Sequence, residues 1–388
     1  MNTPKYIGGG YYYLRLKPFA FLLSLTAINA IAGETITYPG ATLSTVFGAG
    51  NSLAPSATSF SENSVTVNSG TINGDVLGGY SESNDDITKN TVNISSGTIN
   101  GWIHGGRSFS GNANLNIINI SSGTMNSWIL GGNSSSGSAN SNTINITGGT
   151  IERNVFGGFS DSGSATNNTI NISGNPTFGA STILYGGDKN SGTGDVFTSN
   201  TLNIRTKNIA VKDIKNFEFI NLYLLDSTKA NDTILKVNDA ITFGGSNTKL
   251  NVSAPNSINS NFNIGDSITL ISSATSIDTS KLTISNTSFQ TSSLAYIYNF
   301  DITSETQAIN ATLNTKADNP AQKALSEPSI GSLAFINQAS DLTAGFGMDA
   351  MVNSQANLNN SMNSNNLASF STLSVSDTRS NSGSHVDT

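Results

Sequence analysis

Residues 90–106 read NTVNISSGTINGWIHGG, and residues 116–132 and 142–158 repeat the pattern as NIINISSGTMNSWILGG and NTINITGGTIERNVFGG. NSVTVNSGTINGDVLGG at 63–79 precedes them. The Gly-Gly pairs begin at Gly78, Gly105, Gly131 and Gly157, giving intervals of 27, 26 and 26 residues. A further copy starts at Asn168 and reaches Gly186-Gly187, and another begins at Asn200 before the pattern fades. Internal repetition at a period of 20–50 residues marks a solenoid or an array.

Apolar residues alternate within each unit. Val92 and Ile94 flank Asn93, Ile118 and Ile120 flank Asn119, and Ile144 and Ile146 flank Asn145. Period-two alternation is a strand with one buried face. A second stretch follows, where Ile99 and Ile103 match Met125 and Ile129, then Ile151 and Val155. One unit cannot enclose a core, but units stacked at about 4.8 Å in a parallel β-solenoid can. That stacking predicts one buried column of Val65, Val92, Ile118, Ile144 and Ile170. The Gly-Gly pairs (Gly78, Gly79, Gly105, Gly106, Gly131, Gly132, Gly157, Gly158, Gly186 and Gly187) are read as the turn glycines of the coils. Asn93, Asn119, Asn145 and Asn171 each begin a glycosylation sequon. Their common repeat phase is explained without modification by amides stacked along the solenoid.

Composition agrees with this reading. Of 388 residues, 11% are charged and the net charge is −7, against about 25% charged in an ordinary soluble domain. Roughly 40% of the chain is Ser, Thr, Asn or Gln. A charge repeated at every coil would face its own copy, whereas these uncharged groups can stack and hydrogen-bond. The scattered Lys and Arg argue against nucleic acid as a partner. The absence of Cys excludes a disulfide framework, thiolate catalysis and Cys-ligated zinc.

Organisation follows along the chain. Lys5, Arg15 and Lys17 precede a largely apolar run of 13 residues, Phe19 to Ile31, closing on Ala30-Ile31-Ala32. That order predicts a secretory signal over 1–32, with Ala30 and Ala32 the small residues of the cleavage site and the mature chain beginning near Gly33. The run is shorter than the ~20 apolar residues that span a bilayer. Residues 33–316 are read as the solenoid, regular over 63–204, then irregular coils and a cap over 205–316. The cap would cover the edge of the last coil, which otherwise invites pairing with another chain. Ile330, Leu333, Ala334 and Leu342 predict an α-helical linker within 317–352. Residues 353–388 are polar, Asn-rich and expected to be disordered in part.

These features resemble a bacterial autotransporter of the type V secretion family. KALSEPSIGSLAFINQASDL at 323–342 is similar to the segment that precedes and threads the family's outer-membrane barrel. TRSNSGSHVD at 378–387 resembles the turn region after the first barrel strand. VKDIKNFEFINLYL at 211–224 and FNIGDSITLI at 262–271 resemble the stretch ahead of the linker in such passengers. The resemblance implies a right-handed parallel β-helix, export through the inner membrane, and display at the outer membrane or cell surface by a C-terminal β-barrel. The chain stops at Thr388, at the start of that barrel; it is read as a fragment, the alternative being a truncated gene.

Chemistry is scarce in the sequence. There are only two His. His104 fills a repeat position held elsewhere by Leu77, Leu130 and Phe156, so it reads as a tolerated substitution at a half-buried site. His385 lies too near Ser384 and Asp387 in sequence to converge with them as a triad. Asp85 and Asp86 are adjacent and should point apart on extended chain. DKNSGTGD at 188–195 faintly resembles a calcium loop but lacks the nonapeptide spacing of β-rolls. No cofactor or metal is expected. The leading expectation is a non-enzymatic structural or adhesive stalk. Its aligned polar loops, such as RSFSGNANL at 107–115 and NSSSGSANS at 133–141, would contact host or neighbouring-cell glycans or proteins. Trp102 and Trp128, one coil apart, are candidate contact residues, with core or cap packing as the competing role. The alternative is a polysaccharide-active enzyme on the same scaffold.

Overall fold

The computed structural model describes residues 60–245 and 247–321 continuously, together with 35–38, 42–43, 45–48 and scattered positions between 332 and 387. The expected signal and its Ala30, Ala32 and Gly33 lie outside the described residues. Most of the expected linker does too; the few described residues between 332 and 352 are helical and exposed. Short strands at Asp377–Arg379 and His385–Asp387 pair antiparallel with each other.

The chain winds into a β-solenoid of about seven turns. Its first sheet has ten parallel strands, including Ser64–Val67, Thr91–Ile94, Ile117–Ile120, Thr143–Ile146, Thr169–Ser173 and Thr201–Arg205. The predicted column is present, because Val65, Val92, Ile118, Ile144 and Ile170 pair in sequence and are fully buried. A second sheet of two-residue strands carries Ile99, Met125 and Ile151 inward. A third carries Ile103, Ile129, Val155 and Leu184 inward, on strands Ile103–Ser108, Ile129–Ser134, Val155–Ser160 and Ile183–Lys189. Each coil thus contributes apolar side chains from three directions to one continuous core.

Four of the five Gly-Gly pairs are strand residues and not turn glycines, whereas Gly78-Gly79 forms the bend between Val76–Leu77 and Tyr80–Ser81. Gly105-Gly106, Gly131-Gly132, Gly157-Gly158 and Gly186-Gly187 lie inside the third-sheet strands. Close approach demands them there: a Cβ on Gly132 would stand 2.0 Å from the Ala113 carbonyl oxygen and 2.5 Å from the Asn142 amide. The glycines that turn the chain are Gly70, Gly97, Gly123 and Gly149, between the first and second sheets, with φ of 85–100°. Only the missing Cβ makes that conformation inexpensive.

The remaining corner uses no glycine. Glu62, Lys89, Leu115, Ser141, Asn167 and Ser199 hold φ of 58–66°. Each directly precedes a buried asparagine: Asn63, Asn90, Asn116, Asn142, Asn168 or Asn200. The Asn142 Oδ1 accepts both the backbone N–H of Asn116 (2.9 Å) and its amide Nδ2 (3.2 Å). Its own Nδ2 donates to the Ala113 carbonyl at 3.0 Å. The same set recurs at Asn90 and Asn116. A second ladder runs outside, where Asn119, Asn145, Asn171, Asn203, Asn221 and Asn251 each donate to the amide oxygen of the ladder asparagine one coil earlier, beginning at Asn93, at 2.6–2.8 Å. That is the stacking predicted for the sequon asparagines, extended past the recognisable repeats.

The repeat fades because coil length stops being constant. First-sheet partners Ile144 and Ile170 are 26 residues apart, but Leu202 follows Ile170 by 32 and Ile220 follows Leu202 by 18. At the far end Ser267–Ser273 pairs antiparallel with Ala308–Asp318, which pairs with Tyr296–Ser304 and through it with Ser288–Ser292. This antiparallel unit covers the exposed strand, as a cap should. Buried Phe262 contacts Tyr298 and Phe300 edge to face, at centroid distances of 5.6 and 5.1 Å.

Candidate functional site

On the third sheet, alternation turns one residue per coil outward. Leu77, His104, Leu130, Phe156 and Tyr185 occupy this column. Leu130, Phe156 and Tyr185 floor a groove of about 460 Å³. Trp102, Trp128 and Asn154, just before the strands, form one wall. Arg107, Asn133, Phe159 and Asp188 stand on the other, with Ser135, Asp161 and Asn190 from the loops beyond.

The aromatic rings make a continuous line across four coils. Trp102 stacks on Trp128 at 5.0 Å, Trp128 meets Phe156 edge-on at 5.5 Å, and Phe156 stacks on Tyr185 at 4.6 Å. Phe159 packs edge-on against Phe156. Trp102 is 36% exposed and Trp128 half-buried, so the pair is a groove wall and not core or cap packing. Asp75, in the same phase as the tryptophans, accepts the Trp102 backbone N–H, and Asn154 accepts that of Ile183. Both are edge positions whose side chains tie one coil to the next.

The groove has electrical polarity. Arg107 stands at one end, whereas Asp161 and Asp188 come from later coils at the other. Burial raises the Asp188 carboxyl above the usual carboxylate range, opposed by the Lys189 backbone N–H and the Lys215 ammonium. Asp161 accepts from the Asn190 amide at 2.6 Å.

His104 departs from its expected setting. It is wholly buried, not half-buried, and neither ring nitrogen has a hydrogen-bond partner. Trp102 covers it at 5.8 Å between ring centroids. Burial, reinforced by the Arg107 charge, pushes its imidazole down to about 3. It is a neutral side chain in an apolar column, without the base-orienting partner that a triad requires.

The other chemical candidates are held apart or spent locally. Asp85 accepts the Ser81 and Ser83 hydroxyls, whereas Asp86 accepts the Asn112 backbone and amide N–H groups of the next coil. In the 188–195 loop, Lys189 bonds the Gly194 carbonyl and Asp195 accepts the N–H groups of Phe197 and Thr198. Among the described residues, no three His, Asp or Glu side chains are grouped to hold a metal ion. Comparison with protein-family models, with curated proteins and with solved structures finds no match to this chain.

The polar loops are less free than their composition implies. The buried Ser134 and Ser160 hydroxyls donate to Gly111 and Gly137 carbonyls of the preceding coil at 2.7 Å. Each also accepts a loop N–H, from Gly137 and Gly163 respectively. Stacked in this way, the loops become a stiff bank along the groove. Sequence reasoning found the two tryptophans but missed Phe156, Tyr185, Phe159, Asp161 and Asp188. Trp102 and Trp128 share one repeat phase, and Phe156 and Tyr185 share another two residues later, filled by His104 and Leu130 in the earlier coils; aromatics recurring at these two phases are the signal in the sequence.

Proposed function

We propose that this protein is an exported, surface-displayed autotransporter passenger that acts as a non-enzymatic adhesive stalk, binding glycan in the third-sheet groove. The observation carrying the reading is the unbroken aromatic line Trp102–Trp128–Phe156–Tyr185, flanked by amide, hydroxyl and carboxylate groups. Sugars offer apolar C–H faces and a rim of hydroxyls, and a mixed aromatic and polar groove meets both needs. The stacked loops and asparagine ladders hold the groove's shape, which lowers the ordering cost of binding. Within this reading the coils wind right-handed, as parallel crossovers almost always do. In this reading the linker follows the strand Ala308–Asp318, and an outer-membrane barrel anchors the passenger.

The test is direct binding of neutral and acidic oligosaccharides to the purified chain by calorimetry. Trp128→Ala and Tyr185→Ala should each weaken binding about tenfold or more, the scale of an interfacial aromatic anchor. Binding that is unchanged in both variants would remove the groove from the proposal.

One observation favours a second reading. Asp161 and Asp188 share the groove with the aromatic line, and burial raises the Asp188 carboxyl above the usual carboxylate range. A polysaccharide-active enzyme would release new reducing or unsaturated ends from polymer, and Asp188→Asn would abolish that release. An adhesive stalk releases none.

A further inference from the structure

We propose, resting on the glycan reading of the third-sheet groove, that its ligand is an oligosaccharide with a single terminal carboxylate seated against Arg107. Chains that are acidic along their whole length are excluded. The evidence lies in one rank of the groove wall. Arg107, Asn133, Phe159 and Asp188 are register partners in successive coils, and all four line the groove. The rank runs from a cation, through two uncharged residues, to an acid. Three coil spacings of about 4.8 Å put roughly 14 Å between its ends, the length of a short oligosaccharide laid along the axis.

Arg107 is placed to receive an anion. No carboxylate among the described residues comes within ion-pair reach of its guanidinium. Glu82, from the preceding coil, accepts the Tyr80 hydroxyl at 2.8 Å instead. The Tyr80 ring lies under the guanidinium, 5.7 Å from ring centroid to the central carbon, and restrains it. A guanidinium presents a planar fork of N–H donors that matches a carboxylate with two parallel hydrogen bonds.

The other end of the groove repels an anion. Asp161 and Asp188 both line it there, and neither forms an ion pair. Lys215 follows Tyr185 in the outward column, but its ammonium is paired with Asp213 at 3.4 Å. Asp161 accepts the Asn190 amide at 2.6 Å and keeps further lone pairs for sugar hydroxyls. A hydroxyl can donate to these carboxylates, whereas a second ligand carboxylate would meet like charge. Such repulsion separates partners that the uncharged middle of the groove would hold equally well.

A printed panel of short oligosaccharides, probed with the labelled full chain, tests this. Its three classes carry no carboxylate, one terminal carboxylate (3′-sialyllactose among them), or one on every sugar (trigalacturonate among them). The singly acidic class should bind about tenfold or more tighter than the neutral class, the scale of one charge-assisted pair. Arg107→Gln, its fold checked by a melting curve, should cancel that preference, and Arg107→Lys should restore part of it. Lys236→Gln, an exposed cation outside the groove, should keep it whole. Asp161→Asn with Asp188→Asn should admit the fully acidic class. Binding that falls in Trp128→Ala but shows no charge preference overturns this inference and leaves the groove standing. Equal binding of the singly and fully acidic classes by the parent chain also overturns it. A chain that binds none of the three classes overturns both readings.

Discussion

The Asn116 backbone N–H and side-chain amide both donate to the Asn142 Oδ1, at 2.9 and 3.2 Å, inside a fully buried corner. One oxygen therefore closes the corner of one coil and joins it to the next. A buried polar group contributes little net when paired and costs about 1–3 kcal/mol when orphaned. Asn142→Ala strands the Asn116 N–H groups and the Ala113 carbonyl together. The expected loss is about 3–5 kcal/mol, measured by denaturant unfolding against the parent chain. Asn126→Ala, in an exposed ladder outside the corner, should lose less than about 1 kcal/mol.

Close coil contact predicts a graded glycine series. In Gly132→Ala the new methyl meets the Ala113 carbonyl oxygen at 2.0 Å, and backbone cannot step aside cheaply. Destabilisation by about 3 kcal/mol or more is expected. Gly265→Ala meets nothing within 4 Å and bears only the strain of φ 92°, about 1–2 kcal/mol. Thermal melts that rank Gly265→Ala as the worse variant would contradict the close-packing account.

Leu115 makes the opposite prediction. It holds φ of 61° with a bulky side chain 49% exposed, so the strain buries little in return. Leu115→Asn or Leu115→Gly relieves the left-handed penalty and should raise stability by about 0.5–1 kcal/mol. Its N–H bond to the Asn140 carbonyl is backbone and survives either change.

His104 should make stability depend on pH. Unfolded, its imidazole takes a proton below 6.5, whereas burial holds the folded group unprotonated until about 3. Between those values the unfolded chain binds more protons, so acidification destabilises the fold by up to about 1.4 kcal/mol per pH unit. His104→Leu matches Leu77 and Leu130 in its column and removes two unpartnered nitrogens. Unfolding at pH 7.5 should show a gain of about 1–3 kcal/mol, and the gain should widen at pH 5. An unchanged difference between the two pH values would mean that His104 is solvated in the folded chain.

The sequence by itself determined the coil. Alternation at Val92-Asn93-Ile94 and its copies dictates which side chains turn inward, and an offset of 26 or 27 residues puts like above like. The outer asparagine ladder follows from the same two facts. The buried ladder was less legible, because Asn90, Asn116 and Asn142 precede the alternating stretch and resemble ordinary turn residues. Their role exists only when the next coil brings an oxygen to their N–H. The four Gly-Gly pairs inside strands resemble turn glycines in sequence for a related reason. Glycine in sequence marks either a special φ or a lack of room, and only the neighbouring Ala113 and Asn142 show that room is what counts at Gly132. Beyond residue 204 the coil lengths change, so register was set by core packing and the antiparallel cap, not by repetition. The groove was likewise a tertiary outcome. Trp102 and Trp128 share one phase in sequence and Phe156 and Tyr185 another, two residues later, but a line of touching rings needs coils stacked closely enough for each ring to lean on the next.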